Sequence, residues 1–188
     1  MKVTGENAFR GPVTIKGGAI FETAALGNAG EASPFGLGSE IKLASGGTLR
    51  YTGADDSTDR TITIGGNTTG VLEQRGSGTP NFAGPVSAAA NSTLILSNDT
   101  AVAAEYSGQL DAGSGAPNVT KLGSGTWILS GDTIAANTAK AAEGTLAVSN
   151  PCVLAASRLE VSKDATLALG LLFAYLLSRF RVRGVRAG

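Results

Sequence analysis

With 188 residues, 15 basic against 15 acidic side chains and no histidine, the chain has no net charge to draw it onto nucleic acid. It also lacks the commonest general base and transition-metal ligand. A single cysteine, Cys152, excludes an internal disulfide, and its neighbours Pro151 and Val153 offer nothing to activate a thiol. The 27 glycines alone would suit disorder, but 42% hydrophobic residues in short alternating runs imply an interior packed from many strands and tight turns.

Met1-Lys2-Val3-Thr4-Gly5-Glu6 places no apolar core behind its basic residue and does not read as a signal peptide, so export is expected to depend on a segment outside this chain. Val13-Thr14-Ile15-Lys16 alternates as a strand, and Gly18-Ala19-Ile20-Phe21 reads as a degenerate copy of a pattern that becomes clear at Gly47-Thr48-Leu49-Arg50-Tyr51. That pattern, a small residue and a threonine before two apolar residues spaced i, i+2, returns at Ser92-Thr93-Leu94-Ile95-Leu96, Gly125-Thr126-Trp127-Ile128-Leu129, Gly144-Thr145-Leu146-Ala147-Val148 and Ala165-Thr166-Leu167-Ala168-Leu169. A strand of this length buries its apolar side only against its next copy, which predicts a β-solenoid. Thr126 to Thr145 is 19 residues and Thr145 to Thr166 is 21, one coil each. The wider gaps, 45 from Thr48 to Thr93 and 33 from Thr93 to Thr126, require further strands, and Gly70-Val71-Leu72 falls near the middle of the first.

Alternation assigns the faces. Leu49, Tyr51, Leu94, Leu96, Trp127, Leu129, Leu146, Val148, Leu167 and Leu169 are expected inside; Arg50, Ile95, Ile128, Ala147 and Ala168 are expected outside. Gly17-Gly18, Gly46-Gly47, Gly65-Gly66-Asn67 and Ser130-Gly131 are expected to turn the corners with positive φ. One coil of about 20 residues loses roughly 1–2 kcal/mol of backbone entropy per residue, more than its few inward side chains return, so no coil stands alone. The expected fold is all-β, a parallel β-helix of roughly eight coils about 40 Å long.

Asp55, Asp56 and Asp59 form the one acidic cluster. Asp55, Ser57 and Asp59 have the 1-3-5 spacing of a calcium loop, which makes Asp55 and Asp59 the metal candidates. Arg60 stands where that loop needs glycine and Gly66 where it needs glutamate, so a solvated loop between Tyr51 and Ile62 fits better, and no cofactor is expected. Thr61-Ile62-Thr63 is an isolated strand, not a threonine array. Asn67, Asn91, Asn98 and Asn118 each begin an Asn-X-Ser/Thr acceptor pattern that a chain this rich in turn residues produces by chance.

Asn118-Val119-Thr120-Lys121-Leu122-Gly123-Ser124-Gly125-Thr126-Trp127-Ile128-Leu129-Ser130-Gly131 followed by Glu143-Gly144-Thr145-Leu146-Ala147-Val148-Ser149-Asn150 resembles the autotransporter-associated (passenger-associated) β-strand repeat of bacterial surface proteins. Val3 to Gly18 is similar to the middle of such a unit and Ser33 to Ser39 to its later turn, so the resemblance covers most of residues 3–169. Asp132-Thr133-Ile134-Ala135-Ala136-Asn137 departs from it, lacking the aromatic and glycine pair that follows the serine-glycine. The resemblance implies a right-handed β-helix displayed outside a bacterial cell or at its outer membrane. It further implies a non-enzymatic passenger-like stalk with adhesive function, whose partners would be surface glycans or other cells.

Residues 1–164 are expected to form the solenoid region, and 165–188 the last strand plus a tail that is first apolar and then carries Arg179, Arg181, Arg183 and Arg186. The tail is too short for a membrane helix. It resembles sorting tails of exported bacterial proteins without their Pro-Glu-Pro lead-in, or closes the last coil, or reflects a frame error. Membrane contact is expected only through this tail, and no nucleic-acid partner is expected. The competing function class is a carbohydrate-active β-helix enzyme, lyase-like, or a glycan-binding module. An enzyme of that kind needs acids and a basic residue converging from neighbouring coils, whereas Asp55, Asp56, Asp59 and Arg60 share one local loop.

Overall fold

Strands of two to nine residues cannot close a core by themselves, and here each pairs in parallel with its counterpart one turn later. The computed structural model describes residues 1–111, 116–149 and 152–170. The first turn holds β1 (Val13–Lys16) and β2 (Ile20–Thr23), and the second β3 (Glu40–Ala44), β4 (Gly47–Tyr51) and β5 (Asp56–Thr58). The third holds β6 (Thr61–Ile64), β7 (Thr69–Gln74) and β8 (Pro80–Phe82), and the fourth β9 (Val86–Ala88), β10 (Thr93–Asn98) and β11 (Ala104–Tyr106). The fifth holds β12 (Leu110–Asp111), β13 (Asn118–Leu122) and β14 (Thr126–Leu129). Next, β15 (Thr133–Ala141) runs across two faces before β16 (Thr145–Val148), and β17 (Val153–Val161) with β18 (Thr166–Leu169) repeats that arrangement.

The result is a three-faced parallel β-helix, the predicted class, with no helix among the described residues. Its third face is a sheet of six strands, β5-β8-β11-β14-β16-β18, so five turns separate the first from the last. The expectation of roughly eight coils was too high. Residues 24–38 occupy the third side of the first turn without forming a strand, and 28 residues separate Val13 from its partner Ile41. Later turns are shorter: 24 residues from Ile62 to Val86 and 20 from Thr133 to Val153. Seven strands stacked on the first face at about 4.8 Å give a rod of about 29 Å rather than 40 Å.

The five sequence copies do not form one column. Gly47–Tyr51 and Ser92–Leu96 lie on the second face, whereas the last three copies stack on the third, with Thr126, Thr145 and Thr166 in register. The 45-residue gap is two turns, with β7 as the expected strand between; the 33-residue gap is one turn plus a change of face.

Facing inward, the side chains form continuous columns. Ile41, Ile62, Val86, Leu110, Ile134 and Leu154 run up the first face, and Phe21, Leu49, Leu72 and Leu96 up the second. Of the ten residues expected inside, the eight from Leu49 to Val148 are buried, and Leu167 and Leu169 are partly buried against the same core. Arg50, Ile95, Ile128 and Ala147 are half-exposed and Ala168 is exposed, all in outward positions.

Two kinds of corner appear. Between the first and second faces Gly17, Gly18, Gly46 and Asn67 (53°) take positive φ as predicted, Gly47, Gly65 and Gly66 do not, and in the coil after Asn67 it is Asn91 (58°) that does so. Gly131 belongs to the other kind. It turns from the third face to the first above Gly84 and Gly108, and in this column a Cβ would strike the carbonyl oxygen of the residue below: Arg60 for Gly84, Gly84 for Gly108, Gly108 for Gly131. Only glycine lets successive backbones approach this closely. Gly108→Ala should therefore lower stability by about 1–3 kcal/mol, because backbone cannot yield as a side chain can. A urea midpoint unchanged from the parent chain would contradict the close stacking.

Candidate functional surface

The sequence put Asp55, Asp56 and Asp59 in a solvated loop, but the structure gives each of them backbone to hold. Asp55 Oδ1 accepts the Thr79 N–H, Asp56 Oδ2 the Leu26 N–H and Asp59 Oδ1 the Ala29 N–H, all at 2.7 Å. Asp56 begins strand β5, and three carboxylates clustered in sequence reach the loops above and below. Among the described residues, no group of three or more His, Cys, Asp or Glu side chains is placed to hold a metal ion.

Arg60 departs furthest from expectation. It is 1% exposed and donates from Nε to Gly27 O (3.3 Å), and from Nη2 to Asn28 O (2.7 Å), Glu31 O (3.3 Å), Ser33 Oγ (3.0 Å) and Gly36 O (2.8 Å). Its guanidinium carbon lies 5.9 Å from the centre of the Phe35 ring. Burial pulls its pKa below the ordinary value, opposed by Asp59 and Glu31. The 24–38 segment, which has no strand of its own, is thus folded around one side chain sent from the next turn. Sequence did hold a signal for this. Arg60 interrupts the glycine column of Gly84, Gly108 and Gly131, and a side chain fits there because no third-face strand lies beneath it.

A second feature missed from sequence is a polar corner between the second and third faces. Thr23, Tyr51, Gln74 and Asn98 stack in register at the ends of β2, β4, β7 and β10. All four are buried and bond to the turn that follows them. Tyr51 donates to Ala54 O (2.5 Å), and Gln74 to Gly78 O (2.5 Å). Asn98 donates to Val102 O (2.8 Å) and accepts from the Thr100 N–H (2.7 Å). Burial raises the Tyr51 pKa to about 12, and it raises that of Tyr106 as well.

One turn on, Lys121 sits in the leucine column above Leu96, fully buried, its stem in the core and Nζ donating to Leu122 O and Gly123 O, both at 2.6 Å. Desolvation lowers its pKa to about 8, against the opposing pull of Asp99 and Glu143. The folded chain thus releases a proton near pH 8 that the unfolded chain keeps to about pH 10.4. Stability should accordingly rise from pH 8 to pH 10, where ionisation of tyrosines in the unfolded chain begins to oppose it. Thermal melts across that window should show the rise in the parent chain and a flatter profile in Lys121→Met; identical profiles would refute it.

Outside the second face runs an alternating charge ladder. Glu22 contacts Lys2 (3.9 Å) and Arg50 (3.6 Å), Glu73 bridges Arg50 (2.7 Å) and Arg75 (2.8 Å), and Arg75 reaches Asp99 (2.8 Å). Glu73, 8% exposed, is its centre. Exposed pairs contribute little singly, but this chain of six spans successive coils and leaves the face with mutually satisfied charge. At the neighbouring corner, Asn91 Nδ2 donates to Asn67 Oδ1 (3.3 Å), and Asn137 Nδ2 to Asn118 Oδ1 (3.2 Å). Of the acceptor asparagines, Asn67 and Asn91 are exposed, Asn118 is half-exposed and Asn98 is buried. Cys152 is half-buried and desolvation raises its pKa, the reverse of an activated thiol.

Two hollows lie at the ends of the stack. One of about 220 Å³ is lined by Ile15, Ile20 and Phe21, and one of about 230 Å³ by Val148, Leu159 and Leu169. The membrane helix, sorting tail or cap expected of the tail concerns residues 171–188, outside the described residues.

No protein-family model and no solved structure matches the chain. In an alignment of 130 residues that covers 64% of its length, the chain is 37% identical to the adhesin BmaC autotransporter of Brucella suis biovar 1 (strain 1330). It spans only 4% of that relative. In sequence the chain is thus similar to a stretch of an autotransporter adhesin and in structure it is a β-solenoid, as its resemblance to the autotransporter-associated β-strand repeat implies.

Proposed function

We propose that this chain is a section of an exported bacterial surface rod, a passenger-like stalk with adhesive contacts and no catalytic role, placed outside the cell or at its outer membrane. The observation that carries the reading is the 37% identity to an autotransporter adhesin over 130 residues. The structure agrees with it in two ways. Its parallel pairing runs from turn to turn, which suits a spacer, and the clustered acids Asp55, Asp56 and Asp59 hold backbone N–H groups while Glu73 holds Arg50. Outer Thr, Ser and Asn rows are the surface on which glycans or other cells are met, through many weak contacts. Residues 1–164 form the solenoid region of this reading, and 165–188 the last strand with its tail.

The test is adhesion itself. Beads coated with the purified chain should bind immobilised glycans or glycan-bearing cells saturably, and soluble chain should compete. Incubation with acidic polysaccharides should yield no unsaturated product. Release of such product, or beads that bind no better than uncoated ones, would overturn the reading.

A further inference from the structure

The twelve-stranded sheet ends on β1 at one side and on β2 at the other, and the two ends are finished differently. Along the free edge of β2 run residues 1–3, with the Val3 N–H donating to Glu22 O (2.9 Å) and the Glu22 N–H to Met1 O (2.8 Å). Farther on, the Asn7 N–H donates to Ser33 O (3.0 Å) and Phe9 O accepts the Leu37 N–H (2.7 Å), so the 24–38 segment is paired as well. Beneath β1 no strand lies among the described residues. The groups left over there follow from the ladder. On the first face the Ile62 N–H donates forward to Pro85 O (2.9 Å) and the Thr61 N–H back to Ser39 O (3.0 Å). Val13 and Ile15 share the register of Ile62 and Ile64 through Ile41 and Leu43, so they point to the following turn, and Thr14 and Lys16 turn their N–H groups to the bare edge. Thr14 presents its C=O there too, while the Lys16 C=O accepts the Ala19 N–H (3.2 Å). Inward of this edge opens the hollow of about 220 Å³, whose lining includes Met1, Ile15, Lys16, Ile20 and Phe21. Outward of it the charge is of one sign. Arg10 and Lys16 are exposed and make no ion pair among the described residues, and Glu6 is the one acid in residues 1–19.

We propose that β1 is a docking edge for an extended acidic peptide of a partner protein, apolar at every second residue, added as one more strand of the first face. Its backbone takes the Thr14 N–H and C=O and the Lys16 N–H. Its apolar side chains enter the hollow beside Ile15 and Phe21, and the acids between them stand on the water side near Lys16 and Arg10. Because residues 1–9 already pair with the other two sides of the first turn, a single strand completes it. Charge decides between occupants. Lysine on a strand edge discourages pairing with a like edge, and a second copy joined through β1 would bring Lys16 and Arg10 towards their own counterparts, whereas an acidic strand neutralises them.

A blocked synthetic peptide alternating glutamate with valine is the probe, titrated into the full chain by calorimetry. It should bind saturably with a Kd below about 1 mM, whereas peptides alternating lysine with valine, or glutamate with serine, should not. Amide exchange in the complex should slow at Thr14 and Lys16 and stay unchanged at Val13 and Ile15, which are already bonded to β3. Thr14→Pro removes an edge N–H that no other strand uses and should weaken binding at least about tenfold. Lys16→Glu should weaken the glutamate–valine peptide likewise and admit the lysine–valine one. Four results would each overturn the proposal: no binding of the glutamate–valine peptide, equal binding of either control, slowed exchange confined to other strands, or sedimentation showing that the chain pairs with itself until Thr14 is replaced. Should Thr14→Pro fail to fold, the reversal of preference in Lys16→Glu decides. None of these outcomes bears on whether the outer rows of the rod are adhesive.

Discussion

Replacing Arg60 with methionine is expected to cost about 3–5 kcal/mol of stability, among the largest losses any single substitution causes in this chain. Methionine fills much of the same space and stacks on Phe35, so the loss isolates the hydrogen bonds. The Glu31 carbonyl would lose its donor, and the carbonyls of Gly27, Asn28 and Gly36 and the Ser33 hydroxyl would each lose one of two, inside a loop that has no strand to fall back on. Lysine keeps the charge but not the planar fork, and should recover little. Urea unfolding followed by tryptophan fluorescence gives the magnitude, and proteolysis locates it, with new cleavage expected within residues 26–38. A variant within about 0.5 kcal/mol of the parent, with that segment still resistant, would show that the loop holds itself.

Trp127→Ala is expected to cost a similar amount, about 3–5 kcal/mol, for a different reason. The indole is fully buried, stacks on Phe82 with ring centres 5.9 Å apart, and its Nε1 donates to Ser97 O at 3.0 Å across the interior. It stands between Ala104 below and Leu146 above, so its removal leaves a void that neither can fill. Trp127→Phe separates the two contributions, losing the hydrogen bond while keeping most of the packing, and should fall well short of the alanine loss. Because each coil touches only its neighbours, exchange protection should drop first in β11, β14 and β16 and remain in β3 and β4. A uniform loss along the whole stack would mean that the coils melt as one unit.

Most of what could be read in advance came from alternation. Leu49, Leu94, Leu146 and their partners were assigned to the interior by period two alone, and the structure buries them. Faces were harder. Gly47–Tyr51 and Gly125–Leu129 look alike as strings yet lie on different sides, because a small residue, a threonine and alternating apolar residues suit any inner strand of any face. Arg60 and the three aspartates were misplaced for a related reason. Composition marks a charged, glycine-flanked stretch as a solvated turn, but these side chains satisfy backbone groups 24 to 33 residues away in sequence. The charge ladder had a visible component, since Glu22, Arg50 and Glu73 share one outward position on consecutive coils, but it can be read only once the offset between coils is known.

By itself, then, the amino-acid order determined that the chain stacks short parallel strands, which residues form its core, and its likeness to a surface-protein repeat, since these depend on local periodicity and composition. Only the tertiary structure decided how many turns there are, which copies share a face, and that Arg60, Lys121 and the column from Thr23 to Asn98 are buried. Those outcomes turn on how many residues each corner takes up, and a corner's length becomes fixed only when the next coil lies against it and its polar groups find partners there.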